Sequence, residues 1–228
     1  MKKKIFVAGN WKSNKTITDS SDWLHQFRIE CTSSSEAIDG ATVVVCAPYL
    51  ALPSLSAELK SNPLGIELAA QDSSAFDAGA FTGEVTAIMI KEVASWVLIG
   101  HSERRTLFSE TDEMLAKKVE KAKAAGLKII FCVQDESTAI PAGVDVVAYE
   151  PVWAIGTGKT DTPENANAVI TSIKAKSGVS VVIYGGSITA DNVAVFTAQP
   201  AIDGVLPGGA SLDPSKFVRL VVQANSTV

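Results

Sequence analysis

The chain is poor in the residues that anchor metals and disulfides. It has two histidines and three cysteines in 228 residues. Cys31, Cys46 and Cys132 lie far apart and none sits in a CxxC pair, so a structural zinc site or a disulfide framework is excluded. Three reduced, buried thiols fit a cytoplasmic protein. No apolar run nears the ~18 residues of a membrane span. Lys2–Lys4 followed by Ile5-Phe6-Val7-Ala8-Gly9 has the charge order of a secretory leader, but its five-residue apolar run is too short for one. A basic stripe is missing too. The formal charge is −5 and the only run of three lysines is at the start, which argues against nucleic acid. Charged residues make up 20%, with 16 Gly and 9 Pro, so disorder, collagen and coiled coil are excluded as the main architecture.

What the chain does have is a recurrence of short Val/Ile-rich runs. They are Ile5–Ala8, Val43–Ala47, Ile66–Ala70, Trp96–Ile99, Ile129–Val133, Val144–Tyr149, Val179–Tyr184 and Val205–Leu206. Most are continuous rather than alternating, the pattern of strands buried on both faces of a parallel sheet. Helical stripes lie between them: Leu115, Val119 and Ala122; Ala166, Val169, Ile170 and Ile173; Phe217, Leu220, Val221 and Ala224. Thr162-Pro163 and Asp213-Pro214 read as N-caps followed by Pro at the first helical position, and Gly126 as a glycine just past a helix end. Eight strands alternating with helices predict a closed α/β barrel of the (β/α)8 type, one domain over residues 1–228. One interval is too short for the pattern. Gln134 to Gly143 is ten residues, below the dozen that a parallel crossover needs, so the helix between strands 5 and 6 is expected to be vestigial or missing.

In such barrels the chemistry sits at the C-terminal strand ends. Strand 1 ends in Asn10-Trp11-Lys12, strand 4 in Gly100-His101-Ser102-Glu103, strand 6 in Tyr149-Glu150-Pro151, strand 7 in Gly185-Gly186-Ser187 and strand 8 in Gly208-Gly209. Two tight turns would explain the glycine pairs. Their joint presence in the loops after strands 7 and 8 points instead to backbone N–H groups around a phosphate. Glu150 is either paired structurally or a base able to take a proton from carbon next to a carbonyl. His101 precedes a helix-like segment whose N-terminus would keep the imidazole neutral. Lys12 supplies a positive charge for an anionic substrate or an enediolate. His25, between Trp23 and Phe27, reads as a surface residue. Pro151 to Gly158 has the composition of a hinged cover, although an ordinary loop would look similar.

Jointly these stretches resemble the triosephosphate isomerase family. The likeness rests on Ala8–Lys12, Gly79–Glu84, Ile99–Arg105, Ala148–Lys159, Tyr184–Ser187 and Asp203–Leu212, in the family's order. It implies interconversion of dihydroxyacetone phosphate and glyceraldehyde 3-phosphate, without metal or cofactor. It also implies roles. Glu150 would be the base, His101 the neutral proton shuttle, and Lys12 with Asn10 the electrostatic setting. Glu103 and Ser102 would support these from behind. Gly156, Ser187, Gly208 and Gly209 would bind phosphate. Pro151, Val152, Trp153, Ala154, Ile155, Thr157 and Gly158 would form the lid, with Ile155 and Leu206 clamped over Glu150. Thr82 would reach into a neighbouring subunit.

A homodimer is therefore expected, with a tetramer as the alternative. The strand-5 face that the missing helix leaves, either Ile129, Phe131 and Val133 or Ile130 and Cys132, needs cover from neighbouring helices sliding over it or from another subunit, as a tetramer would supply. Lost burial implies lower stability than full-length relatives have. The chain departs from the family at Asp72 (usually Asn), Pro207 (usually aliphatic) and Asp161 (commonly Ala). Two other readings are weighed against the isomerase. A barrel of the same family that only binds would be separated by a turnover assay. Another phosphate-binding barrel enzyme would lack the Asn-x-Lys, His and Glu-Pro-Val-Trp set.

Overall fold

A computed structural model describes residues 4–32, 38–152 and 160–226. Eight parallel strands close into a barrel in sequence order, β1-β2-β3-β4-β5-β6-β7-β8, with β8 pairing back to β1. The strands are β1 (Ile5–Asn10), β2 (Ala41–Ala47), β3 (Ile66–Ala70), β4 (Trp96–Ile99), β5 (Lys128–Val133), β6 (Val146–Tyr149), β7 (Val181–Tyr184) and β8 (Gly204–Val205). The described helices are α1 (Ile17–Cys31), α2 (Leu52–Ser61), α3 (Ala87–Lys91), α4 (Ser102–Leu107), α5 (Asp112–Ala124), α6 (Pro163–Ser177), α7 (Val193–Thr197) and α8 (Pro214–Asn225).

Alternation along the strands separates two apolar layers. One is built from strand side chains and the adjoining Leu206, among them Phe6, Val44, Trp96, Ile130, Cys132 and Ile183, and fills the barrel. The other joins the opposite strand faces to the helices through Leu115, Ile170, Phe217 and their neighbours. The expected capping is present. The Thr162 side chain accepts from Asn165 N–H and Asp213 from Lys216 N–H, each with Pro in the first turn, and Gly126 follows α5 at φ 75°. His25 is exposed, as its pattern implies.

Strands β1, β2 and β5 extend beyond their apolar runs, and three others fall short of theirs at one end, for local reasons. Strand β6 starts at Val146, because the carboxylate of Asp145 takes the Ile129 N–H at 2.8 Å. Strand β7 starts at Val181, because Val179 N–H is held by Ser177 Oγ at the end of α6. Strand β8 covers Gly204–Val205 rather than Val205–Leu206. Leu206 N–H still donates to Tyr184 C=O, but Pro207 has no N–H with which to continue the ladder.

Between β5 and β6 the described residues contain no helix. The crossover turns on Asp135, whose Oδ1 accepts from the backbone N–H groups of Ser137 and Thr138 and from both hydroxyls. The outward face of β5 is Ile129, Phe131 and Val133, which join the helix-facing layer, while Ile130 and Cys132 point inward. That outward set is buried within the single chain. Helix α5 packs on β5, Ile140 and Val144 belong to the same cluster, and the Arg105 guanidinium lies 5.7 Å from the Phe131 ring centre. Of the two expected covers, neighbouring elements of the same chain are the one present.

Candidate active site

Strand β1 runs into Asn10 and then Lys12, whose φ of 52° is rare for a residue with a side chain. Two side chains hold it there. Asn10 Oδ1 accepts the Lys12 N–H at 3.0 Å, and Gln71 Nε2 donates to Lys12 C=O at 2.9 Å and to Cys46 C=O at 2.8 Å. Backbone strain of this kind persists only where surroundings enforce it, and here it aims a lysine into the barrel mouth. Lys12 Nζ meets Glu103 Oε1 at 2.5 Å.

His101 caps α4. Its Nδ1 accepts the Glu103 N–H at 3.2 Å, so that nitrogen carries no proton. The proton is left on Nε2, which lies 2.9 Å from Glu150 Oε1. The other oxygen of Glu150 accepts the Ser102 N–H at 2.9 Å. Glu150 is 1% exposed, so its carboxylate is held by these donors rather than by water. Burial, the largest influence on His101, lowers its pKa. The carboxylates of Glu150 and then Glu103 push it up, and the net direction is upward. Geometry and direction pull apart here, and geometry decides the ground state: a cationic ring would have to give up the bond from Glu103 N–H.

Asn10, Lys12, His101 and Glu150 line one cavity of about 320 Å³ together with Gly185, Gly186, Ser187, Leu206, Gly208, Gly209 and Ala210. That is the low end for a small-ligand site and suits a few heavy atoms. Among the described residues the N–H groups of Ser187, Gly208 and Gly209 donate to no backbone carbonyl, which leaves them available to an anion. Glycine is needed at 186, where a Cβ would sit 2.1 Å from the Tyr184 hydroxyl oxygen. At 208 a Cβ would meet Lys12 Cε at 3.5 Å and Asn10 C=O at 4.0 Å, both ordinary contacts, so it fits the fold but intrudes on the cavity.

The site thus joins Asn10, Lys12, His101, Ser102, Glu103, Glu150, Ser187, Leu206, Gly208 and Gly209 from five strand ends, those of β1, β4, β6, β7 and β8. Pro151 is buried and Val152 exposed beside it. Trp153, Ala154, Ile155, Gly156, Thr157 and Gly158, read as lid, clamp and phosphate contacts, lie outside the described residues. Thr82 is exposed and apart from this cavity.

Residues 5–224 match the family model for triosephosphate isomerase. The chain belongs to the triosephosphate isomerase family. A triosephosphate isomerase of Synechococcus sp. (strain JA-3-3Ab) is 39% identical, with 95% of this chain and 94% of the relative covered. One from Mesomycoplasma hyopneumoniae (strain 232) is 39% identical over 97% and 100%. One from Halorhodospira halophila is 40% identical over 96% and 97%. The Synechococcus alignment runs over 242 positions, more than the chain's 228 residues, so that relative carries residues this chain lacks.

Sequence reasoning missed several residues around this family site. Gln71 gave no signal beyond its place after β3. Asp72 stood out as a departure, but not its partners. Lys118 Nζ binds both Asp72 oxygens, at 2.7 and 2.8 Å, and Glu110 Oε1 at 2.5 Å. Arg104 reaches Asp72 at 2.9 Å and Glu110 at 2.6 Å. This quartet anchors α4, the helix that presents Ser102 and Glu103 to the site. Asp161 is likewise a paired residue: its carboxylate accepts from Thr162 N–H and Asn165 Nδ2, and its N–H donates to the Tyr184 hydroxyl.

Proposed function

We propose that this chain interconverts dihydroxyacetone phosphate and glyceraldehyde 3-phosphate, with Glu150, His101 and Lys12 as the catalytic groups. The observation that carries the reading is their convergence, beside unoccupied backbone donors at Ser187, Gly208 and Gly209, in a cavity of about 320 Å³. The phosphate sits on those N–H groups. Glu150 takes a proton from the carbon next to the carbonyl, the electron pair moves to oxygen, and an enediolate forms. The His101 Nε2–H and the Lys12 ammonium stabilise the developing charge. His101 gives its Nε2 proton to the former carbonyl oxygen and recovers one from the neighbouring hydroxyl, and Glu150 returns its proton to the former carbonyl carbon, so a new carbonyl forms with no net oxidation. Both oxygens of Glu150 are held by donors, Ser102 N–H and His101 Nε2–H. A substrate carbonyl that takes over the His101 N–H releases Oε1 for the proton.

The reading extends to a cytoplasmic protein of one domain over residues 1–228. No helix among the described residues is long and apolar enough to cross a membrane. A coupled assay of triose phosphate turnover tests the activity, and a purified protein without turnover would favour a barrel that only binds.

Gly208→Val tests the phosphate contacts. Its Cβ would lie 3.5 Å from Lys12 Cε, and the branches beyond it project into the space the phosphate needs. A native-like melting curve is expected, with inorganic phosphate inhibiting at least ten-fold more weakly; this is about 1.4 kcal/mol. Unchanged inhibition in a folded variant would move the phosphate elsewhere.

We read the assembly as a homodimer. A second cavity, of about 270 Å³, adjoins the first and is lined by Asn10, Lys12, Gln71, Glu103, Leu107 and Phe108, among others. Leu107 is 72% and Phe108 62% exposed, and Phe81 in the Gly79–Glu84 loop is 42% exposed with its ring stacked on Phe76 at 4.2 Å. Apolar groups so placed favour a partner whose Thr82 loop enters that cavity. The burial of Ile129, Phe131 and Val133 removes the motive for a tetramer. Light scattering at micromolar concentration should give the mass of two chains. Four chains would sink the dimer, and one chain would also sink the role of Thr82.

A further inference from the structure

Ser211 C=O, buried behind the cavity, accepts two indole N–H groups. Trp11 Nε1 donates to it at 3.2 Å and Trp23 Nε1 at 3.1 Å. Both lone pairs of that carbonyl are thereby used. Trp11 precedes Lys12 directly. Trp23 comes from α1, outside the barrel, and takes no part in the site described above. Its ring is fixed by a perpendicular contact with Trp11 at 4.9 Å and a stack on Phe27 at 4.8 Å.

The other end of the same turn is tied as well. Ser211 N–H donates to Gly208 C=O at 2.9 Å and Ser211 Oγ to the same oxygen at 2.7 Å. A residue held through its carbonyl by two rigid rings thus orients the Gly208 peptide by two further bonds. The turn also seats closely on β1, since a Cβ on Gly9 would lie 2.8 Å from Ser211 Cβ. Gly208, Gly209 and Ala210 form the cavity wall. Their N–H directions are therefore set from behind, by side chains that never reach the ligand. Glycine alone cannot supply that order, because its backbone loses the most freedom on being fixed.

We propose that Trp23 is a positioning residue for the phosphate-binding turn. Its indole N–H holds Ser211 C=O, and through Ser211 it sets the Gly208 and Gly209 donors against the phosphate of the substrate. The inference rests on the reading of this cavity as a triose phosphate site. It predicts that Trp23 contributes to binding the phosphorylated end of the substrate and leaves the proton transfer at Glu150 untouched.

Trp23→Phe keeps an aromatic ring for the stack on Phe27 and removes the N–H. The expected result is a rise of about 3- to 10-fold in KM for glyceraldehyde 3-phosphate and in the inhibition constant of inorganic phosphate. The value of kcat should stay within about two-fold. On unphosphorylated glyceraldehyde, kcat/KM should not change, since there is no phosphate to misplace. A merely structural tryptophan would lower the melting temperature and leave KM alone, or depress both substrates equally, and either result overturns the proposal. A second measurement needs no variant. In the wild type, titration with inorganic phosphate should shift the Trp23 indole N–H resonance with the half-saturation seen in inhibition; an unmoved resonance overturns the proposal. Wild-type turnover separates the two levels of the argument. Without it the isomerase reading fails, whereas with it an unchanged KM in Trp23→Phe refutes only the role of Trp23.

Discussion

Glu150→Gln is expected to fold and to bind inorganic phosphate like the parent, while turnover falls about 10²- to 10⁴-fold. The amide has the shape of the carboxylate but cannot take a proton from carbon. The surrounding donors add a second consequence. Both oxygens of Glu150 accept, one from Ser102 N–H and one from His101 Nε2. An amide has one acceptor and one donor end, so one of these contacts must become donor against donor. The imidazole cannot relieve it by changing tautomer, because its Nδ1 already accepts from Glu103 N–H. A stability loss of about 1–3 kcal/mol is expected from the broken contact, small enough to leave the barrel folded. Turnover within a few-fold of wild type, in a coupled assay, would remove Glu150 from the role of base.

The second large effect is expected behind the site. Lys118→Met should lower stability by about 3–5 kcal/mol, because among the described residues it leaves Asp72 and Glu110 buried with Arg104 as their one common cation. Glu110 Oε2 is buried with no partner already, so no spare donor among the described residues can take over. The deficit should depend on pH with a definite sign. Burial, the largest influence on Asp72, pushes its carboxyl above the ordinary 3.8, and the charge of Lys118 pulls it back. Without the lysine the folded state binds a proton at this site still more tightly than the unfolded chain does. Stability from that proton is fully present below the ordinary carboxylate range and is lost as pH rises through the folded value. Denaturant unfolding should therefore show the Lys118→Met deficit narrowing from neutral pH towards 3.8. A deficit that is small at neutral pH, or that widens on acidification, would mean the quartet is not a coupled buried network.

Much of this protein is legible along the chain, because the relevant physics is local or periodic. Continuous Val/Ile runs mark strands covered on both sides, and each of the eight runs falls on a strand. Side chains at strand ends face the barrel mouth wherever the strand goes, so Asn10, Lys12, His101, Glu150 and the two glycine pairs could be read as one site before the strands were assembled. The ten residues from Gln134 to Gly143 cannot hold a crossover helix, and the described residues form none there.

What the chain order could not determine depends on distance in space between residues far apart in sequence. Which face of β5 turns outward follows from the pairing register around the closed barrel, and its cover by α5, Ile140 and Val144 from packing. The union of Asp72 with Lys118, 46 positions away, leaves no periodic trace. The same holds for the meeting of Trp23 with Ser211, 188 positions away. Even the state of His101 was decided by the fold. Sequence placed it before a helix, but only the tertiary structure shows a backbone N–H occupying Nδ1 and so leaves the ring's proton facing Glu150.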